Sequence, residues 1–368
     1  MNPLELLPET DYAPPISEDE LSDEQVLQEI RNLKRELADQ IIFLGHHYQQ
    51  DDIISFADIS GDSLELSRRA AKEKKPYIIF CGVHFMAETA DILTSDLQKV
   101  ILPDLNAGCS MADMATIEEV RQAWATLNEA TNASIIPITY INCAATLKAF
   151  VGEKGGSICT SSNAKKIVSW ALSQGEKLLF FPDQHLGRNT CFDLGIPLDQ
   201  MVIYDPRQPN GGLSTKQIEQ ARVILWYGYC SVHQGFTLEQ VQNVKKKSPN
   251  TTVIVHPECP FEVVQAADQN GSTSQIIDVI AKAPAGSSFA VGTEINLVNR
   301  LAKMYPDKKI SSLSPYQCLC TTMYRVRPRW LLDTLRSIKN GHPKNVIHVP
   351  AHIRAPAIKA LNRMLEIS

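Results

Sequence analysis

Three short hydrophobic segments of this chain each end in two polar residues that are separated by a single position. The segments span residues 41–45, 135–139 and 251–255, and the pairs that follow them are His46 and Tyr48, Tyr140 and Asn142, and His256 and Glu258. On an extended strand, residues two apart project to the same side, so each pair predicts two polar side chains that face one place. A single pair is typical of an ordinary strand end, whereas three pairs in the same register favour a shared site.

A hydroxyl residue and then a cysteine follow each polar pair at similar distances. From the first member of the pair, the spacing to the hydroxyl residue is 17, 21 and 17 residues, and the spacing to the cysteine is 63, 90 and 64 residues. The residues concerned are, unit by unit, Ser63 and Cys109, Ser161 and Cys230, and Thr273 and Cys320. A repeated spacing indicates repeated structural units, so we expect three similar units that face one common point.

The three hydroxyl residues fall where helices are predicted to begin. A helix N-terminus has free backbone N–H groups and the positive end of the helix dipole, and both attract anions. A serine or threonine at that position also serves as a simple N-cap. Both interpretations stay open for each residue, and anion binding would suit substrates that carry carboxylates and a phosphate.

The chain has nine cysteines, and none of them forms a C-x2-C pair. Residues 1–15 lack the basic and apolar regions of a signal peptide, so we expect a cytoplasmic protein in which metal binding is favoured over disulfides. Cys81, Cys143, Cys159 and Cys191 fit the pattern of small buried hydrophobic residues. Structural zinc sites favour close cysteine pairs, so the spacing argues against zinc.

Three thiolates that come from distant segments favour a 4Fe-4S cluster. Such clusters usually take four thiolates, so three would leave one iron with an open position. An open metal position is a Lewis acid that binds a substrate oxygen and helps to expel water. The cysteines therefore predict dehydration chemistry rather than electron transfer. A structural zinc protein and a non-enzymatic iron–sulfur sensor or scaffold are the alternatives, and a sensor would not need the polar pairs.

The overall charge disfavours polyanionic partners. The net charge is −5 and the pI is about 6.0, which argues against nucleic acid or an anionic membrane as the main partner. No apolar run approaches the roughly 20 residues that span a bilayer. The basic stretch at residues 325–329 lacks the stacked aromatic pattern of a nucleic-acid site, and we interpret it as a solvated face that offsets an acidic N-terminal arm.

Strands that alternate with helices predict an α/β fold. We expect three similar three-layer αβα domains with parallel sheets around a pseudo-threefold axis, with the site at the centre. The expected divisions are an acidic N-terminal arm at residues 1–21, a first domain at 22–113, a second at 114–232, a third at 233–321 and a C-terminal tail at 322–368 that packs on the first domain. Ser22 and Gln25 form a predicted capping box at the start of the first helix.

Seven sequence motifs occur in order from about residue 38 to the end of the third repeat. They are Gly45-His46-His47-Tyr48-Gln49, Gly61-Asp62-Ser63, Gly108-Cys109-Ser110-Met111-Ala112-Asp113, Tyr140-Ile141-Asn142, Pro182-Asp183-Gln184-His185-Leu186-Gly187, Gly228-Tyr229-Cys230-Ser231-Val232-His233 and His256-Pro257-Glu258-Cys259-Pro260. Together they resemble the quinolinate synthase family. The resemblance implies a transferase of NAD biosynthesis that condenses iminosuccinate (iminoaspartate) with dihydroxyacetone phosphate to quinolinate, with loss of phosphate and two waters. It also implies a functional link to an aspartate-oxidising enzyme.

The resemblance implies three similar α/β domains around a central site, and a 4Fe-4S cluster held by three cysteines with one iron open to substrate. Carried onto this chain, the ligands are Cys109, Cys230 and Cys320. We prefer Cys320 to Cys318 because its spacing from the third polar pair matches the spacing in the first unit. Cys259 matches no ligand position of the repeat and is interpreted as non-ligating.

The remaining site residues follow from the resemblance together with their chemistry. Glu258, Tyr48 and His256 are the candidate catalytic residues. Glu258 is expected to take up and return a proton, and Tyr48 is expected to donate to a departing or carbonyl oxygen. The candidate substrate-binding residues are His46, Ser63, Tyr140, Ile141, Asn142, Ser161, His233, His256, Pro257, Glu258 and Thr273.

Overall fold

The structure is a computed structural model that describes residues 21–316 and 319–367. The predicted acidic arm lies outside the described residues except for Leu21, and Cys318 also lies outside them. The described chain forms three sheets, two with five strands and one with four. The predicted α/β class with three mostly parallel sheets is confirmed.

The first unit builds the sheet that carries the first polar pair. Its strands lie in the order β2-β1-β3-β4 and are parallel. All six residues of β1 are buried, as expected for a parallel strand with helices on both faces. The predicted capping box at Ser22 and Gln25 is present. The elements are α1 (Asp23–Glu36), β1 (Ile41–His46), α2 (Asp51–Ile54), β2 (Ile59–Gly61), α3 (Ser63–Ala70), β3 (Tyr77–Cys81), α4 (His84–Leu93) and β4 (Lys99–Ile101).

The second unit has the same order with one additional strand, β6-β5-β7-β9-β8, and all of its neighbouring strands are parallel. Strand β8 and the loop after it account for the longer spacing to the second cysteine. The elements are α5 (Ile117–Ala130), β5 (Ile135–Tyr140), α6 (Ala145–Glu153), β6 (Ser157–Cys159), α7 (Ala164–Gln174), β7 (Lys177–Phe181), α8 (Gln184–Asp193), β8 (Met201–Tyr204), α9 (Thr215–Gln220) and β9 (Val223–Trp226).

The third unit repeats the order as β11-β10-β12-β13, again with parallel neighbours. Its strand β10 buries Val253 and Val255 in one apolar cluster and Ile254 in another, so the sheet is covered on both faces. The elements are α10 (Leu238–Lys247), β10 (Thr251–Val255), α11 (Phe261–Ala266), β11 (Gln269–Asn270), α12 (Thr273–Lys282), β12 (Ser288–Gly292), α13 (Ile295–Met304) and β13 (Lys309–Ser312). Short 3-10 turns lie at Ala112–Met114, Leu198–Gln200, Pro209–Gly212, His233–Gly235 and Met323–Arg325.

The strand order that the three units share determines where the predicted polar pairs lie. In each unit the first strand lies between the second and the third, so the strands that follow the first strand are added on opposite sides of it. Ligands of open α/β sheets bind at the carboxyl ends of the strands at such switch points. The polar pairs lie at the carboxyl ends of β1, β5 and β10, which are the first strands of the three units.

The C-terminal tail contacts two units. Helix α14 (Pro328–Lys339) packs on α1 and strand β14 (Val346–Ile347) pairs antiparallel with β4, so both lie on the first unit. Helix α15 (Ala351–Ile367) packs on α6 and β6 of the second unit. The division of the chain into domains at the residues given above stays a prediction.

Part of the basic charge of the tail is paired with the acidic side of α1. Arg336 lies 2.8 Å from Glu29, and Lys339 lies 2.8 Å from Glu36. These ion pairs neutralise two of the basic side chains that a polyanion would otherwise contact. Within residues 21–316 and 319–367, no helix has both the length and the apolar character needed to cross a membrane.

Candidate active site

One cavity lies where the carboxyl ends of β1, β5 and β10 meet. It receives side chains from all three units and from the start of the tail. The residues that line it are His46, Tyr48, Asp62, Ser63, Val83, Phe85, Met86, Gly108, Cys109, Met111, Tyr140, Asn142, Thr160, Ser161, Cys230, His233, His256, Glu258, Thr273, Cys320, Thr322 and Met323. None of these described residues is a lysine or an arginine, so an anion bound here would rely on backbone N–H groups and neutral donors.

Tight turns bring together the members of two polar pairs. Strand β1 ends at His46 and β10 ends at Val255, so Tyr48 and Glu258 lie beyond the strands. The backbone N–H of Tyr48 donates to Nδ1 of His46 at 3.2 Å, and that of Glu258 donates to Nδ1 of His256 at 3.3 Å. The prediction that these pairs extend along a strand is therefore wrong, although the turns produce the same convergence.

The same hydrogen bonds define what His46 and His256 offer to a ligand. Because Nδ1 of each ring accepts from the backbone, the neutral imidazole carries its proton on Nε2. Burial and nearby His47 lower the pKa of His46 to about 3. Burial likewise lowers the pKa of His256 to about 3, although Glu258 opposes this shift. Both histidines are therefore neutral hydrogen-bond donors at physiological pH.

Glu258 is buried and has partners from two directions. The hydroxyl of Tyr140 donates to Oε1 of Glu258 at 2.5 Å, and Nδ1 of His233 lies 2.9 Å from Oε2. Burial alone would raise the pKa of Glu258, but the neighbouring imidazoles of His256 and His233 and these hydrogen bonds outweigh it and lower the pKa. Burial and the Glu258 charge raise the pKa of Tyr140 well above its usual value. The carboxylate is therefore ionised, with a neutral phenol as its donor.

Tyr48 connects the first unit to the third. Its hydroxyl oxygen lies 3.0 Å from Oγ1 of Thr273 and 2.8 Å from Oγ1 of Thr293. Thr293 lies in turn 3.1 Å from Nε2 of His233. Burial and the Glu258 charge raise the pKa of Tyr48 well above its usual value, so this phenol is also neutral.

The predicted hydroxyl residues are not the N-caps of their helices. Ser63 and Thr273 are the first residues of α3 and α12, and the caps are Asp62 and Ser272. Ser161 lies before α7, whose N-cap position is Asn163. Ser63, Ser161 and Thr273 all line the cavity.

Asp62 ties the three units together beneath these hydroxyls. One of its oxygens accepts from the backbone N–H groups that begin α3. The other accepts from Ser162 of the second unit at 2.7 Å and from Ser274 of the third unit at 2.8 Å. Burial would raise the pKa of Asp62, but these hydrogen bonds and His46 lower it. The carboxylate therefore fixes three helix starts around one point.

The three predicted cysteines line the same cavity, each from a different segment. Burial raises the pKa of Cys109 to about 12, and burial with nearby Glu258 raises the pKa of Cys230 well above its usual value. Burial also raises the pKa of Cys320. Since no lysine or arginine is found among the lining residues, a bound cation is what would stabilise the thiolate forms. Three soft donors in one buried cavity fit an iron–sulfur group.

A second group of possible metal ligands shares Cys230 with the three cysteines. The ligand atoms of Cys230, His233 and Glu258 all lie within 4.8 Å of one another and could hold a metal ion. His233 and Glu258 thus lie beside one of the predicted sulfur ligands. Any metal group at Cys230 would therefore be next to the hydrogen-bonded carboxylate.

Most predicted residues converge, and a few do not. Ile141 and Pro257 are not among the lining residues; the Ile141 N–H donates to Cys159, and the Pro257 carbonyl accepts from Asn189. Cys259 is buried under β12, where its Sγ lies 3.6 Å from the Gly292 carbonyl. The cysteines that the sequence favours as hydrophobic residues are buried, and they are Cys81, Cys143, Cys159 and Cys191.

Sequence reasoning misses Asp62, Thr160 and Thr293. Asp62 lies inside a motif that the sequence offers, but its contacts reach residues 100 and 212 positions away. Thr293 follows the third strand of its unit, whereas the predicted polar pairs all lie at the ends of first strands. The parallel register pairs Val255 with Gly292, which places Thr293 beside His256. Its position as a polar residue directly after β12 is the signal in the sequence that would indicate it.

Comparisons with known proteins agree with this geometry. Residues 28–366 match the protein family described as "Quinolinate synthetase A protein". The chain is 52% identical over 366 residues to "Quinolinate synthase" of Anoxybacillus flavithermus (strain DSM 21510 / WK1), covering 99% of each sequence. It is 50% identical over 368 residues to "Quinolinate synthase" of Bacillus cereus (strain AH187), covering 100% of this chain and 98% of the relative. At such identity and coverage the non-enzymatic alternatives fall away, and the chain belongs to the quinolinate synthase family of enzymes.

Proposed function

We propose that this protein condenses iminosuccinate with dihydroxyacetone phosphate and closes the ring to form quinolinate for NAD biosynthesis. One phosphate and two waters leave, which balances the atoms of the two substrates against the product. We further propose that iminosuccinate comes from an aspartate-oxidising enzyme in the cytoplasm. The observation that carries the proposal is the single cavity, in which three thiols, an ionised carboxylate and neutral donors converge from all three units.

The anionic groups of the substrates would rest on neutral donors. Helices α3 and α12 begin at Ser63 and Thr273, and their hydroxyls, with the first-turn N–H groups that the caps Asp62 and Ser272 leave unused, favour a carboxylate or phosphate. His46 and His256 add Nε2–H donors. The amide oxygen of Asn142, which lines the cavity, is buried without a hydrogen-bond partner in the described part of the chain, and a substrate N–H or O–H would satisfy it.

Glu258 is proposed to move protons during the condensation and ring closure. Its carboxylate is ionised and held by Tyr140 and His233, so it keeps a fixed direction toward the cavity. An ionised, positioned carboxylate is suited to accept a proton from a substrate carbon or nitrogen and return it to a departing hydroxyl. His256 would orient the substrate beside it.

Cys109, Cys230 and Cys320 are proposed to hold a 4Fe-4S cluster. The group would supply Lewis-acid assistance to loss of water through an iron that no protein side chain occupies. Ile141 and Pro257 are proposed to contribute as the middle residues of two polar pairs, because they set the spacing of Tyr140 with Asn142 and of His256 with Glu258.

Anaerobic purification followed by addition of both substrates tests this function. Quinolinate and phosphate should form in equal amounts with the wild-type protein. Glu258→Gln, which keeps the shape of the side chain, should retain its iron but lose most of the activity. A protein that binds iron yet forms no quinolinate would contradict the proposal. Full activity of Glu258→Gln would contradict the assigned role of the carboxylate.

A further inference from the structure

Thr293 occupies a position that links two groups of the site, although it is not among the residues that line the cavity. It follows β12 directly and is 1% exposed. Its Oγ1 lies 2.8 Å from the hydroxyl oxygen of Tyr48 and 3.1 Å from Nε2 of His233. Through these contacts the phenol of the first unit is connected to the His233–Glu258 pair of the third.

Tyr48, Thr293, His233 and Glu258 form a series of hydrogen bonds, and each bond needs one donor and one acceptor. Glu258 is a carboxylate and only accepts, so a His233 ring with a single N–H places it on Nδ1, which faces Oε2. Nε2 of His233 is then an acceptor, and the hydroxyl proton of Thr293 is the donor that satisfies it. Since Thr293 has only one proton, its oxygen must accept from the hydroxyl of Tyr48.

These proton positions make the Tyr48 oxygen an acceptor toward the cavity. With its proton directed to Thr293, the phenol offers its oxygen lone pairs to Thr273 and to the cavity. The side chain would then accept a hydrogen bond from a substrate hydroxyl or N–H. Without the Thr293 hydroxyl, the phenol proton would be free to rotate toward the cavity, and the link to His233 and Glu258 would be lost.

We propose that Thr293 is a positioning residue that holds the Tyr48 hydroxyl as an acceptor toward the substrate and couples it to His233 and Glu258. The inference rests on the proposed function and deepens it. It replaces the donor role expected for Tyr48 with an acceptor role. Within the described part of the site, the hydrogen bonds of the Thr293 hydroxyl go to Tyr48 and His233 and to none of the three cysteines.

The test compares Thr293→Val, which keeps the side-chain shape, with Thr293→Ser, which keeps the hydroxyl. Thr293→Val should lower kcat roughly 10- to 100-fold, since positioned acid–base groups contribute about 10²- to 10⁴-fold. The KM values, the dissociation constant of quinolinate and the iron content should stay within about threefold of wild type, because the substrate and metal contacts remain. Thr293→Ser should restore kcat. Thr334→Val is the matched control, since Thr334 is equally buried but bonds only the Trp330 carbonyl of α14.

A double-mutant cycle decides whether Thr293 acts through Tyr48. If it does, adding Thr293→Val to Tyr48→Phe should change kcat less than twofold, because the hydroxyl to be oriented is already absent. If the two substitutions instead lowered kcat independently, so that their effects multiplied in the double variant, the inference would be overturned. Wild-type kcat in Thr293→Val would also overturn it, and so would a loss of kcat in Thr293→Val that Thr293→Ser does not restore. A wild-type protein that forms no quinolinate would overturn the proposed function itself. An active wild type with an equally active Thr293→Val would overturn only the inference.

Discussion

The hydroxyl oxygen of Tyr140, in the second unit, lies 2.5 Å from Oε1 of Glu258, in the third unit. Hydrogen bonds to an ionised acceptor are shorter and stronger than neutral ones, so this contact is one of the stronger links across the cavity. It holds the carboxylate in a fixed direction, and it joins two units that are 118 residues apart at these positions.

Tyr140→Phe should therefore weaken both the site and the joint between the units. A hydrogen bond to a charged group contributes about 1.5–3 kcal/mol, and we expect a loss of that order in the free energy of unfolding. We also expect kcat to fall by roughly tenfold or more, because Glu258 loses one of its two positioning donors. Steady-state kinetics and denaturant unfolding measure the two effects.

Tyr316→Phe is the control for Tyr140→Phe, because the Tyr316 side chain is 79% exposed. It should leave both kcat and the unfolding midpoint unchanged. If Tyr140→Phe behaved like this control, the hydrogen bond to Glu258 would have no energetic role.

The buried histidines give the protein a defined response to acid. The pKa of His46 in the folded state is about 3, whereas the unfolded chain has a value near 6.5. The unfolded state therefore binds the proton first as the pH falls, and stability is lost between about pH 6.5 and 3. Above pH 6.5 the contribution is fully present. The slope from this one group is at most about 1.4 kcal/mol per pH unit.

His46→Asn should reduce the slope of that acid response in the metal-free protein. The free energy of unfolding, measured by denaturant titration from pH 7.5 to pH 5, should depend less on pH in the variant than in the wild type. Equal slopes in the two proteins would show that His46 does not titrate in the range that its burial predicts.

The crossing of α15 over α6 depends on a missing side chain. A Cβ added to Gly152 would lie 1.9 Å from the carbonyl oxygen of Pro356, which is backbone and cannot move aside. Gly152→Ala should therefore push the two helices apart, at a cost of about 1–3 kcal/mol or more in the free energy of unfolding. Thermal unfolding measures the loss. Ala355→Ser, at an exposed position of α15, should have little effect; equal stability of Gly152→Ala would mean that α15 does not lie this close to the second unit.

Structural features that depend on residues close together in the sequence can be predicted from it, whereas contacts between distant residues cannot. The runs at β1, β5 and β10 are visible because strands buried on both faces are continuously apolar. The capping box at Ser22 is visible because its partner lies three residues away. Strands β2, β6 and β11, of two or three residues, are too short to give a pattern.

The contacts that complete the site leave no local signal. Thr293 approaches Tyr48 across 245 residues, and Asp62 reaches Ser274 across 212. The similar spacing of the pairs and cysteines nevertheless predicts which residues converge, because each unit repeats the same strand order. The set of residues that meet at the cavity is therefore predictable from the sequence, while the hydrogen-bond partners of each residue are seen only in the three-dimensional structure.

The most direct test of the account is the iron content of anaerobically purified cysteine variants. We predict about four irons per wild-type chain. Cys109→Ser, Cys230→Ser and Cys320→Ser should each lose the iron, and quinolinate formation with it. Cys81→Ser should keep both, because Cys81 is buried in β3 and does not line the cavity. Equal loss of iron from Cys81→Ser, or wild-type iron in any of the three cavity variants, would contradict the central claim that these three thiols hold the metal group.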